Sequence, residues 1–450
     1  MIILGTNSIK DTGYDVANSC RFNAGSSDRL IRTQTAGNRR TYTISWWMKR
    51  SGLTAGTQVI GSDPDGSAGN NFAILDLKNT DALDFSGYES GHTFRLITNR
   101  LFRDVSAWMH IVFAVDTTQG TAANRMKIYV NGVQETSFST ENYPSQNYET
   151  KFNENSNKIT VGGRSGSYFN GYMAEVCMID GQSLAPTSFG EFDEDSGIWK
   201  PIDVSGLTFG TNGFYLDFEN SGALGADVSG NTNNFTVNNL TAIDQTTDTP
   251  TNNFATLNSL AKGSSVTLSN GNLTNTTSGS TATAVVSTIG VSQGKWFIEA
   301  VARDSTDDNS NIGVSTVGDV SGISYLGVNT TSWCYTTSGL IYNNASSILD
   351  TGTTHTFNDV IGMAVDMDNG QVFFYKNGTI INSGSACITG LSGDVFLGSG
   401  AGASIVDFNF GNAPYTISSG NTDGNGYGNF EYAVPSGYYA LNTKNLAEYG

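Results

Sequence analysis

The sequence is short of basic residues, histidine and cysteine, and it lacks helix-forming runs. Each shortage excludes something. The 450 residues carry 23 Lys and Arg against 41 Asp and Glu, a net charge of −18. Nucleic acid and anionic membrane surfaces would be repelled by such a chain, so neither is expected as a direct partner. No apolar stretch approaches the roughly 18 residues of a membrane-spanning helix, so membrane insertion is not expected. The opening residues MIILGTNSIKDTG have no basic segment and no long apolar core, so synthesis in a cytoplasm without a signal peptide is expected. The four cysteines, Cys20, Cys177, Cys334 and Cys387, form no CxxC pair. A thiolate zinc site is therefore not expected, and buried reduced thiols are. The three histidines, His92, His110 and His355, are scattered and no G-x-S-x-G motif accompanies them, which argues against Ser-His hydrolysis. Runs rich in Leu, Lys, Glu and Ala are nearly absent, and charged residues make up only 14% of the chain.

What the chain has instead is glycine, 53 residues of it, with much Asn, Ser and Thr, and a 38% apolar content that can fill real cores. That composition favours short strands joined by tight turns. Two stretches say nearly the same thing. Trp108 to Gln134 (WMHIVFAVDTTQGTAANRMKIYVNGVQ) and Val360 to Ile380 (VIGMAVDMDNGQVFFYKNGTI) each read as an apolar strand ending in Val-Asp, a turn, a second strand, then Tyr-x-Asn-Gly. Met126, Ile128 and Val130 alternate with Arg125, Lys127 and Tyr129, a period of two that puts one face on a core and the other in water. Asn131-Gly132 and Asn377-Gly378 suit the positive φ angles of a type I′ turn. The fold class expected is all-β: two tandem antiparallel β-sandwiches with very little helix. At roughly 150 residues per domain the length allows this.

In chain order, residues 1–18 are short and polar and are expected to be an N-terminal arm that docks to a larger particle. Residues 19–245 form the first sandwich with a C-terminal extension. In it TYTISWWMKR reads as a strand with Tyr42, Ile44, Trp46 and Met48 on one face and Thr43, Ser45, Trp47 and Lys49 on the other. One short helix is expected near Ala185 to Phe192, with Pro186 at an early position. Residues 246–253 (TTDTPTNN) read as a linker or domain edge. Residues 254–416 form the second sandwich. Residues 417–450 read as a loop and tail, low in complexity over 418–429 (SSGNTDGNGYGN).

With these residues in view, the first sandwich resembles the laminin-G/concanavalin A-like jelly roll. TISWWMKRSG, AWMHIVFAVD, KIYVNGVQ, ITVGG and FNGYMAEVCMID carry the resemblance, in order, over about residues 19 to 200. The second resembles a SPRY domain, on GKWFIEAVA, NIGVST, SWCYTTSGLIYNN, DVIGMAVDMDNGQVFFYKNGTI and IVDFNFGNAPY. The tandem, with SFGEFDEDSGIWKP, GTNGFYLDF, DVSGNTNNF, NNFATLNSL and the ending ALNTKNLAEYG, resembles structural proteins of tailed bacteriophages of marine bacteria. That resemblance implies a virion protein, located on the virion. The first reading is a tail fibre or appendage adhesin that binds a host-surface glycan or protein through sandwich loops. The alternative is a capsid decoration or knob (head fibre) protein without a host ligand, and a glycan depolymerase is the third. Other virion proteins are the implied partners, and a homo-oligomer, a trimer among the options, is expected.

No enzyme is expected. Glu191, Asp193 and Asp195 superficially match a glucanase E-x-D-x-x-E signature, but the second Glu is missing at the required offset. Sugars want aromatic faces with amides and carboxylates for their hydroxyls, so the candidate ligand residues are Tyr143, Tyr148, Tyr168 and Asn170 in the first sandwich and Tyr325 and Tyr342 in the second. No cofactor is required. The lectin-like resemblance allows Ca²⁺, for which Asp63, Asp65 and Asp116 are the candidate ligands.

Overall fold

The computed structural model describes residues 13–66, 70–279, 281, 283–303, 310–400 and 402–450. The chain divides into two compact units between Thr251 and Asn252. In the first unit an antiparallel sheet runs Val133–Gln134, Met126–Val130, Met109–Asp116, Thr41–Arg50, Gly171–Asp180, Ser19–Phe22, Gln245–Thr246, with Phe214–Leu216 also on Gly171–Asp180. A second sheet runs Phe138–Asn142, His92–Leu101, Ala82–Glu89, Asn71–Leu77, Thr57–Asp63, Lys158–Val161, Arg29–Thr33, Thr236–Asn238. Between the two lies a core that includes Ile44, Trp46, Phe85, Phe94, Ile111 and Phe113. The all-β sandwich architecture is as the alternation predicts.

The two sheets differ in what covers their outer faces. Alternation predicts Trp47 and Lys49 facing water, yet Thr41–Arg50 is buried from Tyr42 onward and Gly171–Asp180 along its whole length. The reason lies in the chain beyond the jelly roll. Trp199 and Val16 pack with Trp47, Trp108 and Tyr172 on this outer face, and Phe189, Val204 and Phe209 pack beside Val112 and Ile179. His110, also on this face, stacks on Trp47 at 4.7 Å and accepts the Trp199 indole N–H at 3.0 Å. At the centre the Lys49 ammonium, fully buried, meets the Asp248 carboxylate at 2.8 Å, and the Trp108 indole donates to the other oxygen at 2.9 Å. Residues 246–251, expected to be a linker, are thus a buried strap of the first unit, because one of them supplies the counter-charge for Lys49. Glu175 sits at φ 49° where the register of its strand shifts. It accepts the Tyr215 hydroxyl at 2.7 Å and that of Tyr14 at 3.2 Å. The described part of the expected N-terminal arm is therefore packed as well, while residues 1–12 lie outside the described residues.

The second unit repeats the plan. One antiparallel sheet runs Val266–Ser269, Thr274–Thr277, Ser404–Asn409, Lys295–Ala302, Val360–Asp366, Gln371–Lys376, Thr379–Ile380, with Ile388–Thr389 added on Gln371–Lys376. The other runs Val285–Val286, Phe396–Ser399, Ile312–Ser315, Ser332–Tyr335, Leu340–Asn343, Ser346–Asp350. Residues 417–450, expected to be a loop and tail, cover the outer face of the first of these sheets. Phe430 and Ala440 are buried with Phe254, Phe297 and Ala364, and Tyr439–Ala440 adds a parallel strand to Lys295–Ala302. Glu299 ties the cover down: one carboxylate oxygen accepts the Tyr432 amide at 2.8 Å and the other that of Glu431 at 2.9 Å. The stretch 418–429 is organised by Asp423, which accepts the amides of Asn425, Tyr427 and Ala440 at 2.9 Å each. Thr443–Tyr449 is the α-helix among the described residues, capped by the Asn442 side chain. The helix expected near Ala185 to Phe192 is one 3₁₀ turn, Pro186–Ser188. The chain then enters the hairpin Gly190–Phe192/Trp199–Pro201, and hairpin pairing takes the residues that would continue the helix.

The repeated hairpins occupy matching places, each ending its sheet. Asn131 and Asn377 both have φ 47°, followed by Gly132 at 78° and Gly378 at 77°. The Asn131 side chain accepts the His110 amide at 2.8 Å, as Asn377 accepts that of Val360 at 2.9 Å.

Two stability measurements follow. Replacing Asp248 by Ala strands the Lys49 charge in a dry interior and should cost about 3–5 kcal/mol, whereas Lys49→Met with Asp248→Leu should cost less than either single change. Urea unfolding followed by tryptophan fluorescence reads both. His355 is fully buried against the Tyr335 ring with neither ring nitrogen hydrogen-bonded among the described residues, and burial pushes its pKa down to about 4. The unfolded chain takes up this proton below about pH 6.5, while the fold resists it until about 4, so stability should fall across that window as the pH drops. His355→Phe should flatten that part of the stability–pH curve.

Candidate functional site

With its partner sheet covered, the second sheet of the first unit keeps an open outer face. The register sets what stands there. Phe72 pairs with Tyr88, Ile74 with Ser86 and Asp76 with Asp84. Ser86 in turn pairs with Arg95 and Tyr88 with His92. Their sequence neighbours Ala73, Leu75, Phe85, Phe94 and Leu96 fill the core, so period two sends these side chains outward. Phe72, Ile74, Asp76, Asp84, Ser86, His92 and Arg95 border an open cleft of ≈ 430 Å³, rimmed also by Lys78 and by Arg164 from the hairpin Gly163–Arg164/Ser167–Tyr168.

The charges in the cleft are arranged in two groups. Arg95 Nε lies 3.2 Å from each Asp84 oxygen and Nη2 lies 2.6 Å from one of them. Lys78 stands 3.5 Å from the same carboxylate. Asp84 is thereby saturated. Asp76, directly across the strand pair, has one oxygen shut off from solvent and without a hydrogen bond among the described residues. Burial pushes its pKa up to about 7; the Arg164, Lys78 and Arg95 charges pull against that shift and the Asp84 charge adds to it. The aromatic part of the floor is Phe72, whose ring stacks with Tyr88 of the neighbouring strand, ring centres 5.6 Å apart and planes 17° apart. His92 meets Tyr88 edge-on at 5.2 Å. A flat apolar surface beside fixed carboxylate, hydroxyl and guanidinium groups can hold a ring that is apolar on its faces and polar at its edges.

Most residues singled out from the sequence stand elsewhere. Tyr143 is half-buried on the core and its hydroxyl donates to Glu141 at 3.0 Å. Tyr148 is edge-on to Phe94 at 6.2 Å and its hydroxyl donates to Glu89 at 3.3 Å. Asn170 is occupied by the fold, its side-chain oxygen accepting the Ala24 amide at 3.2 Å and its carbonyl that of Ser51 at 3.1 Å. Tyr168 is half-buried on the hairpin that carries Arg164. Tyr325 and Tyr342 are half-buried in the second unit, Tyr342 against the cluster of Leu326 and Cys334.

The metal candidates do not form a cation site. No group of three or more His, Cys, Asp or Glu side chains converges among the described residues. Asp63 is buried and turns one oxygen back to the Asp65 and Gly66 amides. Asp116 spends its oxygens on Thr118 at 2.6 Å and Gln119 at 2.6 Å. Glu191 and Asp193 both face Lys200, at 3.5 and 3.3 Å. The Ser196 hydroxyl and amide hold the Asp193 carboxyl down at about 2. A group so acidic is no proton donor at neutral pH.

The cleft residues lie on strands, where a sequence search for ligand-binding side chains in loops does not reach. The signal was present: polar residues recur at the outward positions of neighbouring strands, Asp76 in NFAILDL, Asp84 and Ser86 in ALDFSGYE and Arg95 in HTFRLITNRL.

Comparison with known proteins accords with this geometry. The family described as "Concanavalin A-like lectin/glucanases superfamily" matches residues 24–184, and the SPRY domain family matches residues 295–412. The chain therefore contains a concanavalin A-like domain and a SPRY domain. Similar solved structures include the SPRY domain of human HERC1, 18% identical, covering 32% of this chain and 91% of that one at a TM-score of 0.27. Another is a native heptameric SAP-like pentraxin from Limulus polyphemus, 14% identical, covering 38% of this chain and 80% of that one at a TM-score of 0.29. No curated protein matches.

Asp76 gives a direct check on the electrostatics. A carboxyl raised to about 7 keeps a proton that the unfolded chain loses near 4, so its stabilising contribution is full below pH 4 and is lost as pH rises through 7. Asp76→Asn should therefore gain stability relative to the parent as pH rises from 4 to 8, and carboxyl NMR should place the Asp76 midpoint near neutrality.

Proposed function

We propose that the chain is a binding protein, an adhesin without catalytic activity, whose first sandwich takes a glycan in the open sheet-face cleft. The observation that carries this reading is an open cleft that sets the Phe72 ring, with Arg164 over it, beside the hydrogen-bonding groups of Asp76, Asp84, Ser86 and Arg95. The SPRY domain would contact a protein partner. The wider setting is proposed as a virion appendage, a tail fibre in preference to a capsid decoration, supported by the likeness of the connecting segments to structural proteins of tailed phages. Repetition on a particle, through a homo-oligomer or many copies, would raise a weak single-site affinity.

One observation favours a second reading. Asp76 and Asp84 oppose each other on neighbouring strands, and burial raises the Asp76 pKa to about 7, as for the proton donor of a hydrolytic carboxylate pair. A nucleophile or base needs a free lone pair, however, and the Asp84 oxygens are taken by Arg95 and Lys78. Binding without cleavage is the better fit.

A panel of immobilised glycans tests the proposal. The protein should bind a subset, Phe72→Ala should weaken that binding about tenfold or more, the cost of losing one aromatic contact of about 1.4 kcal/mol or more, and the bound glycan should keep its chain length. Binding to no glycan, or binding indifferent to Phe72, would contradict it. Antibody labelling of intact particles, seen by electron microscopy, separates tail from capsid.

A further inference from the structure

The cleft also carries a cation that the fold leaves uncompensated. Arg164 stands on a tight hairpin where Gly163, at φ 140°, passes against Tyr168: a Cβ there would lie 2.7 Å from the Tyr168 backbone. The guanidinium lies over the Phe72 ring, 4.8 Å from its centre. Its Nε and Nη1 are shut off from solvent and have no hydrogen-bond acceptor among the described residues. The other two strong cations of the cleft, Arg95 and Lys78, are spent on Asp84. Two acids face Arg164 within electrostatic range, Asp63 from Thr57–Asp63 and Asp76 from Asn71–Leu77. Neither forms an ion pair with it among the described residues, and burial pushes both carboxyls up, so both are weak counter-ions.

Resting on the glycan reading of the cleft, we propose that its ligand is an acidic saccharide, one whose carboxylate or sulfate is received by the Arg164 guanidinium where it lines the cleft above Phe72. A guanidinium prefers a charged oxygen acceptor to a hydroxyl, because charge-assisted hydrogen bonds are shorter and stronger. The chain as a whole, at −18, repels polyanions, so an acidic glycan would be held by this local cradle and not by general attraction. Asp76 adds a pH dependence: burial raises its pKa to about 7, and as it ionises it competes with the ligand for the guanidinium, so binding weakens.

The test uses the full chain on a panel that holds neutral glycans, uronic-acid chains such as polygalacturonate, and sulfated chains such as carrageenan. Binding confined to acidic members, falling at least tenfold in Arg164→Gln and less in Arg164→Lys, and weakening from pH 6 to pH 8, supports the proposal. Retained thermal midpoints in both variants exclude misfolding as the cause. Binding lost on carboxyl reduction identifies a uronate, and binding lost on desulfation identifies a sulfate ester. Binding to neutral members that is as tight, and unchanged in Arg164→Gln, overturns the acidic-ligand proposal while the glycan reading stands. Binding to no member overturns both.

Discussion

A buried charge on a central strand, answered by the chain's own extension, is the constraint on which both sandwiches depend. In the first unit it is Lys49, which could not sit in a dry interior without Asp248. In the second it is Glu299, whose carboxylate is held by the amides of Glu431 and Tyr432 and still has its pKa pushed up to about 7 by burial. In each case the extension lies beyond the matched domain, past residue 184 in one and past 412 in the other. Each extension converts a sheet with one wet face into a sheet buried on both. Family resemblance describes the jelly roll; the extension decides which of its faces stays open.

That choice explains why the cleft is where it is. The face bearing Trp47, His110 and Tyr172 has aromatics enough for a sugar platform, but Trp199 and Phe189 already occupy them. Among the described residues the face bearing Phe72 and Tyr88 is overlain by Arg164 at Phe72 but has no such aromatic cover over its polar floor, which borders an open cleft. The repeated Asn-Gly hairpins serve both units as sheet ends. The Asn side chain and backbone close the same pair of hydrogen bonds in each, on His110 and on Val360. Similar turn chemistry thus finishes two sheets that belong to different families.

Much of this was legible in the residues. Alternation located the strands Thr41–Arg50, Met109–Asp116 and Val360–Asp366, and the motifs named both domain types. Three things were not legible, each for a physical reason. Period two separates the faces of a strand but cannot say whether the outer one is wet, so Trp47 and Lys49 were assigned to solvent. Polar, turn-rich stretches such as TTDTPTNN look like connectors whether they are free or are buried with their polar groups satisfied. Lastly, a cleft on a sheet face depends on which outward positions the register sets side by side, and Arg164 comes to Phe72 from a hairpin far along the chain. Loop aromatics such as Tyr143 and Tyr148 drew attention because they lie in a polar context, yet both rings pack on the core.

The central claim is that ligand enters the uncovered sheet face of the first sandwich. Hydrogen–deuterium exchange of the full chain, with and without a saturating glycan from the binding panel, tests it most directly. Slowed exchange should concentrate in Asn71–Leu77, Ala82–Glu89, the start of His92–Leu101 and the hairpin around Arg164. Protection confined to residues 143–148, or to the second unit, would contradict it.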